Sequence, residues 1–166
     1  MGNGMVRKVD ELGRVVIPKE MRRILNIKTG SSIEMFINDQ NQVVLKKFSE
    51  LENVSSIIDT LTKIIYESFS VACFICDDEK VLCVCGLSKK EFLQKKVNFN
   101  LVQDKFFKTE LCQILSDVES NKNCSVFSIL CEGFENGKLV VCDDINEEKK
   151  QSIEILLKFL CELLVF

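Results

Sequence analysis

Arginine and lysine are concentrated near the start of this 166-residue chain, although the chain as a whole is acidic, with a net charge of −3. Seven of the nine basic residues in the first 48 positions lie between Arg7 and Lys28. A guanidinium group is planar, always charged and able to donate two parallel hydrogen bonds, which suits phosphate oxygens and base edges. The stretch MVRKVDELGRVVIPKEMRRILNI at 5–27 is therefore a candidate site for binding a polyanion.

Charge divides the chain into two parts of opposite sign. Residues 1–48 carry nine Lys/Arg against five Asp/Glu, a net charge of +4, whereas residues 49–166 carry thirteen against twenty, a net charge of −7. A basic segment attached to an acidic one indicates two modules with different partners. Taken alone, the positive charge is weak evidence for DNA binding, because a solvated basic surface has the same composition.

The composition excludes several kinds of chemistry. The chain has no histidine, so it cannot form a Ser-His-Asp triad, a Cys-His dyad or a histidine-ligated zinc site. Apolar residues make up 46% and charged residues 28% of the chain, which is typical of a globular protein. The longest apolar run, residues 155–166, is interrupted by Lys158 and Glu162, and the N-terminus lacks the apolar stretch of a secretory signal. We therefore expect a cytoplasmic protein that does not enter a membrane.

Two pairs of cysteines could carry metal chemistry. They occur in CFIC at 73–76 and CVC at 83–85, and four thiolates can ligate zinc or an iron–sulfur cluster. In strands, the first pair would point to opposite faces of the sheet and the second pair to one face. Their neighbours are apolar, and Lys80 is the only positive charge nearby. The pattern favours packed core cysteines over a metal or redox site, and we predict no metal and no cofactor.

Paired carboxylates are the remaining candidates for catalysis, at Asp77–Asp78, Asp143–Asp144 and Glu147–Glu148. Adjacent acids in turns and at helix starts usually cap the helix or face solvent. We therefore predict no catalytic residue and expect that the protein is not an enzyme.

Short elements must position the basic residues. Strands are predicted at 5–9 and 14–17 around the turn DELG, followed by a helix over 18–26 with Pro18 at its first position. Two further strands are predicted at 32–37 and 42–47. A segment of about 48 residues cannot bury much of a core by itself, so we expect it to need a partner chain.

The helix over 18–26 separates its basic and apolar positions. Lys19, Arg22 and Arg23 share one face at helical spacing. Met21, Ile24 and Leu25 form another face.

The rest of the chain alternates between helical and strand patterns, which predicts an α+β domain with a mostly antiparallel sheet. Helices are predicted at 51–69, 88–97, 104–120 and 145–166, and strands at 71–76, 80–86, 124–131 and 138–142. Ser88 followed by Glu91 is the signature of a capping box. We place the two domains at 1–50 and 51–166, with the join near residues 48–53.

Residues 5–48 closely resemble the N-terminal domain of the AbrB family of bacterial transition-state regulators, in the run VRKVDELGRVVIPKE followed by the paired arginines. The resemblance implies an all-β barrel with one short helix, formed by swapped hairpins from two chains, that binds double-stranded DNA. It also implies DNA contacts from Arg7, Lys8, Arg14, Arg22 and Arg23.

The stretch DDEKVLCVCGLSKKEFLQKKV at 77–97 resembles the hairpin and following helix of a GAF-like domain. An AbrB-type head joined to such a domain implies a regulator of sporulation genes and a homotetramer. The apolar stripes at 51–65 and 153–164 are compatible with helices that meet those of a partner. A GAF-like domain also implies an unidentified small-molecule effector, with a scaffold for oligomerisation as the alternative. NKNCSVF at 121–127 matches only the opening of a cyclic-nucleotide signature.

Two other classes of function remain open. Some proteins of the swapped-hairpin superfamily are antitoxins that bind a toxin, although these usually end in a short flexible tail. A cysteine-based redox enzyme would need a base and an electropositive thiol site.

Overall fold

A computed structural model describes residues 4–98, 104–115 and 117–164 of the chain. The chain divides into two compact units, Met1–Phe48 and Ser49–Phe166. In the described ranges, no helix has the length and apolar character needed to cross a membrane.

The N-terminal unit contains a short helix and one hairpin. The helix α1 spans Lys19–Ile24, and the strands β1 (Ile33–Ile37) and β2 (Val43–Lys47) pair antiparallel. These three elements confirm the predictions at 18–26, 32–37 and 42–47. Pro18 is the N-cap of α1 rather than its first residue.

The predicted strands at 5–9 and 14–17 are not formed in the described part of this single chain. Only the turn between them is present, closed by the Asp10 N–H, which donates to the Arg14 carbonyl at 3.0 Å. A strand requires a neighbour for its backbone hydrogen bonds, and β1 and β2 pair only with each other. The backbone of these two segments therefore has no strand to pair with in the described part of the chain.

The C-terminal unit is built on a five-stranded antiparallel sheet with the order β4-β3-β7-β6-β5. Its strands are β3 (Cys73–Cys76), β4 (Val81–Cys85), β5 (Phe106–Glu110), β6 (Asn123–Cys131) and β7 (Phe134–Val141). Its helices are α2 (Glu50–Asn53), α3 (Ser55–Phe69), α4 (Lys89–Phe92), α5 (Leu111–Ile114) and α6 (Glu147–Leu164). The predicted α+β architecture and four of its strands are confirmed.

Apolar side chains cover both faces of this sheet. On one face, the stripe of α3 packs with Ile153 and Leu157 of α6, so the helix at 51–69 packs largely on its own domain. Phe92 of α4 and Leu111 of α5 belong to the cluster on the other face. Because successive strand residues point to opposite faces, each central strand contributes to both layers.

The predicted helix over 51–69 is interrupted at Val54, which separates α2 from α3.

The helix predicted over 88–97 is wrong beyond residue 92. Gln94 has a φ of 63°, and the chain then runs beside the start of β4. The Gln94 N–H donates to the Val81 carbonyl, and the Val81 N–H donates to the Lys95 carbonyl, each at 2.9 Å. The predicted capping box is also wrong, since the Ser88 side chain makes no capping hydrogen bond.

The helix predicted over 104–120 is wrong at its beginning, where β5 forms an edge strand. Phe106 pairs with Phe127 and Phe107 with Val126. The two adjacent phenylalanines thus pack in opposite core layers, which a strand permits and a helix does not. In the described part of this segment, helical structure is limited to the single turn of α5. Residue 116 of this prediction, and the end of the predicted final helix at 165–166, lie outside the described residues.

Candidate nucleic-acid interface

All five basic residues predicted to contact DNA are exposed on the N-terminal unit. Arg7 and Lys8 precede the 10–14 turn, Arg14 ends it, and Arg22 and Arg23 lie in the last turn of α1. The four arginines are the only ones in the sequence. The structure therefore places every guanidinium group of the chain on one unit.

A network of hydrogen bonds holds the turn from Asp10 to Arg14. One carboxylate oxygen, Asp10 Oδ1, accepts the backbone N–H groups of Leu12 at 3.0 Å and Arg14 at 2.8 Å. The Gly13 N–H donates to the Asp10 carbonyl at 3.0 Å, and Gly13 has a φ of +76°, which favours glycine. The side chain of Asp10 thus satisfies backbone donors that the turn leaves unpaired.

The second carboxylate oxygen of Asp10 contacts the arginine directly. Asp10 Oδ2 accepts the Arg14 Nε–H at 2.8 Å, and the two side chains form an ion pair. The backbone N–H and the guanidinium of Arg14 lower the pKa of the Asp10 carboxyl from its ordinary value. Asp10 was not predicted to belong to the site; its position four residues before an arginine, with a glycine between, was the available signal.

The helix α1 carries Arg22 and Arg23 at its C-terminal end, where the helix dipole favours cations. The Arg22 N–H donates to the Pro18 carbonyl at 2.9 Å, and the Ile27 N–H donates to the Arg22 carbonyl at 2.8 Å. Among the described residues, the side chains of both arginines make no ion pair. Their guanidinium groups are accordingly available to an external anion.

The N-terminal unit buries almost nothing as a single chain. Pro18 is the only buried residue between positions 4 and 48. Large apolar side chains are instead exposed, including Val6 at 92% and Ile24 at 76%. Others are Val9, Leu12, Val15, Val16, Met35, Ile37 and Val43. A segment with this surface has its apolar residues in place but lacks the second layer that would bury them.

The cysteines of the C-terminal unit lie mainly in its two core layers. Cys73 and Cys83 belong to the layer under α3, and Cys76 lies in the opposite layer, as the strand geometry predicts. All nine cysteines are free, and the described residues contain no group of three or more Cys, Asp or Glu side chains able to hold a metal ion. Burial raises the pKa of the Cys73 thiol to about 12 and that of Cys83 to about 11.

A surface recess of about 360 Å³ lies beside α3 and β4, lined partly by Lys63, Tyr66, Glu67 and Lys89. Its walls mix charged side chains of both signs with the Tyr66 ring, which points to no single ligand chemistry. A small-molecule effector therefore stays a prediction.

The N-terminal unit is similar to several known proteins. Residues 6–49 match the family described as antidote-toxin recognition MazE, bacterial antitoxin. Two regulators from Bacillus subtilis (strain 168) resemble the same part. The putative transition state regulator Abh is 56% identical over 45 residues, 27% of this chain and 48% of that protein. The transition state regulatory protein AbrB is 53% identical over 45 residues, 27% of this chain and 46% of that protein.

These matches show that the chain carries a MazE/AbrB-type N-terminal domain, as its sequence predicts. Over a longer stretch, the chain is similar to stage V sporulation protein T of Bacillus subtilis (strain 168), with 39% identity over 95 residues, 57% of this chain and 53% of that protein. The chain spans about half the length of the curated relatives that it matches.

A solved structure also resembles part of this chain. The cofactor-binding GAF domain of the nutrient sensor CodY from Clostridium difficile superposes with a TM-score of 0.48 and 17% identity, covering 64% of this chain and 83% of that chain.

Proposed function

We propose that the protein is a DNA-binding transcriptional regulator of sporulation genes. The single observation that carries the proposal is the presence of all four arginines, exposed, on a unit of the MazE/AbrB type. Two similar proteins are named as transition-state regulators and one as a sporulation protein. In this proposal residues 1–50 bind DNA and residues 51–166 form a GAF-like regulatory and oligomerisation domain.

The N-terminal units of two chains form the DNA-binding barrel. Segments 5–9 and 14–17 have unpaired backbone groups, and residues 4–48 form no buried core of their own. A second chain that interleaves its hairpins would supply both hydrogen-bond partners and apolar cover. The resulting two-fold axis repeats each arginine, and a duplex offers a matching pseudo-symmetric target.

DNA is bound largely through phosphate contacts from Arg7, Arg14, Arg22 and Arg23, with Lys8 beside them and with some reading of base edges. Four arginines per chain give eight in a dimer. If each neutralises one phosphate, log K against log salt concentration has a slope of about −7.

Electrophoretic mobility shift on genomic fragments tests this proposal. We expect Arg14→Ala and Arg23→Ala to weaken binding at least about tenfold and to reduce the salt slope, since each change removes two contacts per dimer. Lys90→Ala is the matched control, because it removes an exposed cation from the C-terminal unit. An affinity that barely changes with salt, or an Arg14→Ala variant that binds as well as the wild type, would refute DNA binding by these residues.

An antitoxin-like protein-binding module is the second candidate, favoured by the description of the family that residues 6–49 match. The C-terminal unit, with its five-stranded sheet and long terminal helix, distinguishes this chain from antitoxins that end in a flexible tail. Absence of duplex binding at low salt, with a dimer still present, would favour this candidate.

The C-terminal units associate two dimers into a homotetramer through the exposed faces of α3 and α6. Ile155 and Phe159 lie one turn apart on α6 and are 66% and 63% exposed, and Ile64 of α3 is 42% exposed. Burial of such side chains against another chain would contribute favourably to association. Sedimentation equilibrium should give a tetramer for the wild type and a dimer for Ile155→Glu/Phe159→Glu; a wild-type dimer would refute this arrangement.

A further inference from the structure

We propose that Asp10 is a positioning residue for DNA recognition, which holds the Arg14 guanidinium in the orientation that contacts the duplex. The inference rests on the proposed function and assigns a role to an acidic residue inside a basic site. It is carried by the two-sided contact of the Asp10 carboxylate, whose first oxygen fixes the turn and whose second oxygen fixes the arginine.

The contact between Asp10 and Arg14 leaves the two terminal NH2 groups of the guanidinium without a partner among the described residues. Asp10 accepts only the Nε–H, at 2.8 Å. A guanidinium has five N–H groups, so four remain at its outer end, and among the described residues these four make no hydrogen bond. They are the donors that bind a phosphate or a guanine edge in bidentate fashion.

Holding the side chain before DNA arrives lowers the cost of binding. An arginine that is free to rotate loses conformational entropy when it is fixed on a ligand. Here two backbone hydrogen bonds already close the turn from Asp10 to Arg14. The Asp10 N–H donates to the Arg14 carbonyl and the Gly13 N–H donates to the Asp10 carbonyl, each at 3.0 Å. The ordering of Arg14 is therefore built into the folded chain.

Simple electrostatics predicts the opposite effect for this residue. A carboxylate beside a phosphate-binding arginine repels the polyanion, so its removal should strengthen binding. Glu11 supplies the matched control, because it is the adjacent acid, is exposed and makes no hydrogen bond among the described residues. Asp10→Asn and Glu11→Gln each remove one negative charge, but only the first removes the contact with Arg14 Nε.

Asp10→Asn is a mild change for the turn itself. The amide oxygen of asparagine can still accept the N–H groups of Leu12 and Arg14, whereas the amide nitrogen cannot accept the Nε–H. We therefore expect the thermal unfolding midpoint of the full chain to stay within a few degrees of the wild-type value.

The experiment measures binding of the full-length variants to two duplexes of about 40 base pairs. One is selected by the wild-type protein from a random library, and the other is a scrambled sequence of the same composition. Glu11→Gln should bind both duplexes as well as the wild type or more tightly. Asp10→Asn should bind the selected duplex about threefold to tenfold more weakly without losing affinity for the scrambled one.

The same change is then made in an Arg14→Ala background, where Asp10→Asn should cause no further loss. The inference is overturned if Asp10→Asn tightens both complexes as Glu11→Gln does, or if its loss persists without Arg14. If Asp10→Asn unfolds the protein, Arg14→Lys is the substitute variant, because lysine keeps the charge but lacks the planar fork. Arg14→Lys should bind the selected duplex more weakly than the wild type by a similar factor. An affinity equal to that of the wild type would overturn the inference.

Failure of the proposed function would look different. In that case the wild-type protein selects no duplex, or Arg14→Ala binds as the wild type does. If Arg14→Ala weakens binding while Asp10→Asn behaves as Glu11→Gln, DNA binding stands and only the role of Asp10 is refuted.

Discussion

Ile153 and Ile155 lie two residues apart on α6, and the first side chain is buried in the core while the second is exposed. Ile153 has no exposed surface and packs in the core layer with Leu61 and Leu157, whereas Ile155 is 66% exposed. A helix advances 100° per residue, so this separation turns the side chain from the sheet toward the outside. The two isoleucines therefore allow one substitution to be compared at a buried and an exposed position of the same helix.

We expect Ile153→Ala to lower the free energy of unfolding by about 2–5 kcal/mol, because it removes buried methylene groups and leaves a cavity. Ile155→Ala should change the same quantity by about 0.5 kcal/mol or less in the dissociated protein. Urea denaturation at low protein concentration measures both. Equal losses at the two positions would contradict the packing of α6 described above, while a loss at Ile155 that grows with protein concentration would indicate burial in an assembly.

The buried thiols predict a loss of stability at alkaline pH. Burial raises the pKa of Cys83 from an ordinary value of 9.0 to about 11. Between these values the unfolded chain loses the thiol proton and the folded chain keeps it, so the contribution of this group is present below pH 9 and is lost as pH rises toward 11. The slope approaches about 1.4 kcal/mol per pH unit for one thiol.

Denaturant unfolding between pH 8 and pH 11 tests this expectation. Cys83→Ala should lower the stability at pH 8 but make its decrease with pH less steep, since one titrating thiol is gone. Val84→Ala, which removes buried methyl groups but no titrating group from the same strand, is the control and should keep the wild-type steepness. An unchanged steepness in Cys83→Ala would show that this thiol ionises equally in the folded and unfolded chain.

The turn between β1 and β2 depends on one side chain. Asn38 Oδ1 accepts the backbone N–H groups of Gln40 at 3.1 Å and Gln42 at 2.9 Å. Asn38→Ala removes both bonds and should destabilise the hairpin by about 1 kcal/mol. Hydrogen exchange at the Gln40 and Gln42 amides should accelerate by about fivefold for such a loss. Asn38→Asp keeps the acceptor oxygen and should retain most of the protection; equal acceleration in both variants would contradict this role.

Local pattern predicted the elements whose partners are close in sequence. The β3–β4 and β6–β7 hairpins are joined by short turns, so alternation of apolar residues was sufficient to find them. The strand β5 was missed because Phe106, Phe107 and Leu111 also fit helical spacing. Its strand state depends on pairing with β6, which begins more than ten residues later and cannot be seen from the local pattern.

The candidate interface was predictable in part for a similar reason. The permanent charge and bidentate fork of arginine were sufficient to predict Arg7, Arg14, Arg22 and Arg23 as candidates, together with Lys8, and the structure shows that all five are exposed. The contact between Asp10 and Arg14 was not predictable from composition, since it requires the turn geometry that brings a carboxylate within 2.8 Å of Nε. The strand pattern at 5–9 and 14–17 is not realised in the described part of the chain, where β1 and β2 pair only with each other.

Lys138 is a buried cation that forms an ion pair with Glu135. Its side chain is about 5% exposed and pairs with the Glu135 carboxylate, which is 39% exposed. Lys138 Nζ also donates to Ser128 Oγ at 3.2 Å and lies 6.0 Å from the centre of the Phe107 ring. Glu135→Gln leaves the ammonium buried beside weaker acceptors, so we expect it to destabilise the protein by about 1–3 kcal/mol.

Lys138→Met removes the charge and keeps an unbranched apolar side chain of similar length, while Glu135 can be hydrated at its exposed surface. We therefore expect Lys138→Met to cost less than Glu135→Gln, and Glu135→Gln to cost almost nothing when made in the Lys138→Met background. Urea denaturation of the two single variants and the double variant measures the coupling. Additive losses would show that the Glu135 carboxylate does not stabilise the buried ammonium of Lys138.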